Sequence, residues 1–273
     1  MNLRLKSRYL FEFCDQSWVP AGARECLFET MEACNSGTRS FNGRVAEKAF
    51  QLAEESGFDT IVELGAGRAP ITTQLAQHPG SAEMVLVPCD LFPNTAAYRA
   101  LEAEYPGRVR PIYDVVDITR PQPRLDDSVL VLCGMFHHVP LELRSDVLRA
   151  LSESRARVAI FEPLRRTVAS LLMTCLAYFP ALALPLLLWK RPGFLRRALW
   201  CWLLPIVPYM FVWDGWISCL RQWTASEFRE ALEQLPDSAR DIQIEEGANS
   251  LTVIWTAGKL QVEASAAAHS QTS

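Results

Sequence analysis

Between residues 57 and 162 the chain alternates short apolar runs with stretches in which apolar residues recur every three or four positions. The runs are Ile61-Val-Glu-Leu, Glu83-Met-Val-Leu-Val, Arg108-Val-Arg-Pro-Ile-Tyr, Ser128-Val-Leu-Val-Leu-Cys and Val158-Ala-Ile-Phe. Helices are predicted between them at Ile71–Gln77, Thr95–Glu104 and Leu141–Ser154. Apolar runs separated by helices at this pitch predict an α/β fold, a parallel sheet with helices on both faces. Central strands of such a sheet are buried on both sides, which is why the runs are continuous rather than alternating. Upstream, Ala21–Met31 and Val45–Glu55 read as two helices. Downstream, a helix is predicted from about Thr224, followed by strands around Ile242-Gln-Ile-Glu-Glu and Leu251-Thr-Val-Ile-Trp-Thr. The tail from Glu263 to Ser273, rich in Ala and Ser, reads as disordered.

The loop after the first run, Glu63-Leu-Gly-Ala-Gly-Arg-Ala-Pro, has the form of a strand-turn-helix ligand loop. Gly65 and Gly67 let the backbone turn tightly and approach a ligand without a Cβ in the way. The third position of a dinucleotide fingerprint falls on Pro70, and no phosphate-binding lysine follows, which argues against a pyrophosphate cradle. An acid before the glycines, Glu63, suits a ligand with an amino group. Asp90 at the end of the second run can accept ribose hydroxyls, and Asp117 after the third can accept an adenine amino group. Ligands of open α/β sheets bind at the carboxyl ends of the strands, where these three acids fall.

Charge narrows the class. The 27 basic and 31 acidic residues give a net charge of −4, which argues against a nucleic-acid binder. None of the eight cysteines forms a C-x-x-C pair or has a histidine at ligand spacing, so no metal site is expected. Reduced thiols and the lack of a signal-peptide pattern at the basic N-terminus predict a cytoplasmic protein.

Taken together, Phe11-Glu-Phe-Cys-Asp-Gln-Ser-Trp-Val-Pro with Arg24, the loop at Glu63, Asp90-Leu-Phe-Pro-Asn, Val116-Asp117, Phe136-His-His-Val-Pro, Ile160-Phe-Glu-Pro with Arg165 and Trp213-Asp-Gly-Trp resemble the class I S-adenosylmethionine-dependent methyltransferases, in a bacterial branch with an apolar insertion before the sixth strand. The resemblance spans roughly residues 11–256. It departs from the family pattern at Glu63, where Asp is frequent, and at Ala69 and Pro70, where Gly-x is usual. It implies a doubly wound, Rossmann-like, seven-stranded sheet with an N-terminal helical lid. The organisation expected is a lid over 1–56, a cofactor-binding core over 57–166, an insertion over 167–213, completion of the core over 214–262, and the tail 263–273. S-adenosylmethionine is the implied cofactor, held by Glu63, Gly65, Ala66, Gly67, Asp90, Leu91, Asp117, Ile118, Gly134 and Met135.

Methyl transfer requires an acceptor aligned in line with the sulfonium methyl and, for a hydroxyl or amine, a base. His137 and His138 follow the fourth run, and either imidazole titrates in the useful range. Trp18, Arg24, Glu162, Asp214 and Arg221 are candidates for the substrate pocket; Asp214, Ser218 and Arg221 share one helical face and serve equally as caps and ion pairs. The acceptor expected is small or lipid-like. A nicotinamide-dependent oxidoreductase and a non-catalytic membrane adaptor are the competing readings; the absence of a Tyr-x-x-x-Lys pair weighs against the first.

The insertion points to lipid. Thr167 to Trp189 holds 23 consecutive uncharged residues, long enough to cross a bilayer, and Ala198 to Trp213 holds 16. Two full crossings would put Lys190, Arg191, Arg196 and Arg197 on the wrong side for the positive-inside rule. Helices lying in the interface, or a shallow hairpin, would keep these four beside anionic headgroups at the inner face of the membrane. An apolar lid or a dimer interface remains open as the alternative.

Overall fold

The computed structural model describes residues 11–36, 41–120, 125–235 and 239–257. The predicted tail 263–273 and the basic stretch Met1–Arg8 lie outside the described residues. The chain divides into two compact units, one of Met1–Phe41 with Leu164–Gln222, the other of Asn42–Pro163 with Trp223–Ser273.

The second unit carries a mixed sheet. Its strands are β1 (Thr60–Leu64), β2 (Val85–Cys89), β3 (Ser128–Cys133), β4 (Ala156–Glu162), β5 (Ala239–Glu246) and β6 (Leu251–Ala257), in the order β2-β1-β3-β4-β6-β5. The first four pair in parallel, with Leu64 opposite Cys89 and Leu132. β6 runs antiparallel to both β4 and β5. Alternate residues face opposite sides. Val62, Leu64, Leu130, Leu132, Val158 and Ile160 join one cluster with Val147 and Leu148 of helix Arg144–Ser152 and Phe228 of helix Ala225–Glu233. Ile61, Val129, Val131 and Ala159, on the other side, are equally buried. Trp255 sits fully inside, its indole N–H donating to Ser152 Oγ at 3.0 Å.

Among the described residues six strands form where seven were expected. The missing one is the run Arg108–Tyr113, which approaches β2 without becoming a strand. Leu86 N donates to Arg108 O, Arg110 N to Leu86 O and Ile112 N to Pro88 O, and Leu86 bridges Val109. The next rung would need an N–H from residue 88, and Pro88 has none. A proline in β2 thus leaves an edge pairing instead of a strand.

The first unit is helical: Ala21–Ser36, Val168–Leu176, Tyr178–Leu187, Phe194–Ala198, a π-helical turn Leu199–Leu203, and Ile206–Arg221. Val19, Ala23, Leu27, Leu184, Cys201 and Met210 belong to its core. Pro205 caps Ile206–Arg221 and Pro180 lies in the first turn of Tyr178–Leu187, positions that tolerate a missing N–H, while Pro185 lies inside the latter helix. The segments Phe194–Leu203 and Ile206–Arg221 are bent by 75°. The stretch Val168–Leu187 is long and apolar enough to cross a membrane, and 28% of its most apolar window is buried.

Two sequence expectations change here. Helix Phe41–Ser56 falls almost wholly in the sheet unit instead of forming a lid with Ala21–Ser36. Its Val45, Ala49, Leu52 and Ala53 form a buried stripe at helical spacing. The basic loop also turns inward. Arg196 pairs with Glu25 and, at 2.7 Å, with Glu29. Arg197 is fully buried; it contacts Glu29 and donates to the carbonyls of Leu188, Arg191 and Pro192. A guanidinium carries five donors, and here most serve the protein itself. The acids responsible lie about 170 residues upstream in helix Ala21–Ser36, beyond the reach of any local sequence pattern.

Candidate cofactor and catalytic site

Three loops meet at the carboxyl ends of β1, β2 and β3. The first is Gly65–Ala69. Gly65 and Gly67 take positive φ values of 66° and 53°, and Ala69 follows at 58° as the residue capping helix Pro70–Gln77. Ala69 therefore holds the left-handed conformation that glycine usually supplies at this place, which preserves the loop despite the departure at that position. Ala66 N donates to Cys89 O at 3.0 Å, joining the loop to the end of β2.

Asp90 makes the second join. Its Oδ2 accepts from Gly67 N and its Oδ1 from Phe92 N, both at 2.8 Å. Val116 N donates to Asp90 O, which draws in the segment bearing Asp117 and Ile118. Asp117 Oδ1 accepts from Thr119 N at 3.0 Å and Thr119 Oγ1 at 2.7 Å, and these donors hold its carboxyl below the usual range. Leu91 and Phe92 stand exposed beside Asp90. From β3, Gly134 at φ 60° donates to Phe161 O, and Met135 packs on Gly65 so closely that a Cβ there would lie 2.7 Å from Met135 Cε. Nothing comes within 4 Å of where a Cβ on Gly67 would stand, so the loop is open on the side of the exposed glycine.

Glu63 has a different setting from the one expected. It lies on the β1 face under helix Pro70–Gln77, and its carboxylate accepts from Ile71 N at 3.1 Å, Thr72 N at 2.8 Å and Thr72 Oγ1 at 2.7 Å. These are unpaired donors of a helix N-terminus, which attracts negative charge. Burial pushes the carboxyl up to about 7, and the Thr72 and Ile71 donors keep it from rising further. Its observed contacts are those of a cap that positions the loop.

His137 and His138 lie in the 3-10 turn after β3. His137 Nδ1 is 2.8 Å from Glu162 Oε2, and His137 N donates to Glu162 Oε1 at 3.2 Å. Both side chains are buried, while His138 is exposed and its ring stacks on His137 at 4.3 Å. Arg144, which sequence reasoning missed, braces this turn. It is buried against Phe136 and Trp223 at 5.6 and 5.7 Å, and donates to His137 O and Val139 O. No motif signalled it; seven residues separate it from the carbonyl it holds.

The remaining pocket candidates belong to the helical unit. Asp214 accepts from Phe13 N at 2.6 Å and Cys14 N at 3.0 Å, and burial pushes its carboxyl up to about 6. Arg221 and Ser218 both reach Glu12 Oε1. Arg24 donates to Gln16 O and Val19 O. Trp18 is exposed, edge-on to Phe11 and Phe13. The observed work of Asp214, Arg221 and Arg24 is thus to fasten the segment Phe11–Val19, the capping and ion-pair option.

No protein-family model matches the sequence, and a search of curated proteins returns no significant match. Solved structures do match. The plantazolicin methyltransferase BpumL, solved with S-adenosylhomocysteine, superposes with a TM-score of 0.57 at 11% identity, over 93% of this chain and 98% of that one. An O-methyltransferase family protein from Burkholderia thailandensis gives 0.51 at 11% identity, over 82% and 58%. Human N-acetylserotonin methyltransferase, solved with S-adenosylmethionine, gives 0.50 at 13% identity, over 86% and 56%. The chain spans less than two thirds of the length of the last two. The chain shares its fold with these methyltransferase structures.

Proposed function

We propose that the protein transfers a methyl group from S-adenosylmethionine to the oxygen or nitrogen of a small or lipophilic acceptor. The observation that carries the reading is the meeting of the three loops at the strand ends, where Gly67, Asp90 and Met135 surround an open glycine turn. That donor and acceptor set fits an adenosyl ligand: Asp90 would take the ribose hydroxyls, Asp117 and Ile118 the adenine, and Gly65 to Gly67 the amino-acid moiety. Glu63 would act from beneath by fixing the loop. The cofactor supplies an electrophilic sulfonium methyl. The chain has to align the acceptor and take its proton.

His137 is the group we assign to that proton. Glu162 at Nδ1 fixes the ring and its tautomer, so that Nε2, across the ring, acts as the base. The backbone bond from His137 N to the same carboxylate, and the Arg144 bond to His137 O, restrict the turn from both sides. The test is transfer of labelled methyl from S-adenosylmethionine to a panel of phenols, carboxylic acids and amines of graded chain length. Labelled product that disappears in His137→Ala is expected. Labelling that persists unchanged in that variant would remove His137 from the chemistry, and failure of every acceptor in a folded, cofactor-binding sample would remove methyl transfer to these classes.

A further inference from the structure

We propose that the apolar face of helices Val168–Leu176 and Tyr178–Leu187 seats the protein on a lipid bilayer through hydrocarbon contact, with little help from basic side chains. The proposal stands apart from the chemistry at the strand ends. Val168, Leu172, Leu176 and Phe179, spaced at four, four and three, form one stripe and are each between 63% and 73% exposed. A stripe at helical spacing is the pattern of a helix face that meets an apolar partner.

The chemistry of the stripe selects the partner. Protein interfaces carry about one hydrogen bond per 100–200 Å², and Arg and Tyr are enriched in them. Between Val168 and Leu187 every fully exposed side chain is apolar; the hydroxyls of Ser170 and Thr174 are buried, and the half-buried Tyr178 packs edge-on against Tyr209 at 5.4 Å. Hydrocarbon needs no hydrogen-bonding partner, and a protein surface does. The ends of the stretch agree. Arg165 and Arg166 precede it and Lys190 and Arg191 follow it, so both ends carry positive charge, as in a helix pair lying in the interface rather than crossing it. Indole groups are satisfied where they meet this region, Trp202 donating to Leu182 O and Trp216 to Leu171 O. Arg191, Arg196 and Arg197 are engaged by Glu32, Glu25 and Glu29, which withdraws three of the loop's four positive charges from any headgroup.

The experiment is sedimentation of the full chain with phosphatidylcholine vesicles, with and without added phosphatidylglycerol, in low and high salt. Binding to phosphatidylcholine alone is expected, changed less than about twofold by salt, since neutral headgroups offer no counterion release. Leu172→Glu with Leu176→Glu should lower the bound fraction at least about tenfold, because each carboxylate costs more than the leucine contributed. Lys190→Gln with Arg191→Gln should leave it within about twofold. A blue shift of tryptophan emission and quenching by brominated lipid, read on the wild-type protein, keep the test valid if the glutamate variant misfolds. A protein that stays in the supernatant with both vesicle types would overturn the proposal. So would binding confined to the anionic vesicles and abolished by salt, or a lipid-free dimer that the glutamate pair dissociates.

Discussion

Replacing Glu63 by Gln tests the reading of this residue as a buried cap. The native carboxyl titrates at about 7 in the folded protein against an ordinary value of 4.5, with burial as the main cause. The raised value means that the folded state holds the proton more tightly than the unfolded one. Wild-type stability from this group is therefore fully present below about pH 4.5 and is lost as pH rises through about 7. Two and a half units correspond to roughly 3 kcal/mol, of which about 2–3 kcal/mol is lost between pH 5 and 8. Glutamine has no proton to lose. Its amide nitrogen faces one of the three donors at Ile71 and Thr72, leaving an N–H unpaired at a cost of about 1–3 kcal/mol. The variant should therefore melt below wild type at pH 5, and the gap should close or reverse at pH 8, a relative movement of about 5–10 °C. Circular-dichroism melts of both proteins at the two pH values, at matched ionic strength, give the answer. A gap that stays constant, or widens toward pH 8, would mean that the donors outweigh burial and that the carboxyl is not raised in the folded protein.

Other outcomes follow from particular contacts. Gly65→Ala puts a Cβ 2.7 Å from Met135 Cε on a residue at φ 66°, and should cost about 1–3 kcal/mol in denaturant unfolding and loosen the loop for ligand. Glu162→Gln removes the acceptor that fixes the His137 ring, and should lower kcat by about 10²-fold or more while leaving KM nearly unchanged. Arg197→Ala strips three carbonyls of their donor in the helical unit and should destabilise it by about 3–5 kcal/mol, seen as faster proteolysis of the Lys190–Gly193 turn.

Much of the sheet was legible because its central strands announce themselves. Ser128–Cys133 and helix Thr95–Glu104 form within the limits that periodicity predicts, since buried parallel strands and capped amphipathic helices are encoded locally. The run Arg108–Tyr113 misled because its apolar content is that of a strand, while the decisive donor is missing from Pro88, twenty residues earlier. Among the site residues, the positions of Asp90 and the two glycines follow from the strand-end rule. The setting of Glu63 does not: the same spacing serves a ligand amine or a helix N-terminus, and only the β1 register, which turns residue 63 toward Ile71 and Thr72, decides between them. The partner of His137 and the inward turn of Arg196 and Arg197 are tertiary facts, each depending on an acid far away in sequence.

Titration calorimetry with S-adenosylhomocysteine tests whether the loops at the ends of β1, β2 and β3 bind an adenosyl ligand. Saturable binding at one site per chain is expected, weakened at least about tenfold by Asp90→Asn, whose loss of charge removes a charge-assisted bond to the ribose without emptying the loop. A folded wild-type protein that gives no heat at two temperatures, and whose melting point the ligand does not move, would contradict it.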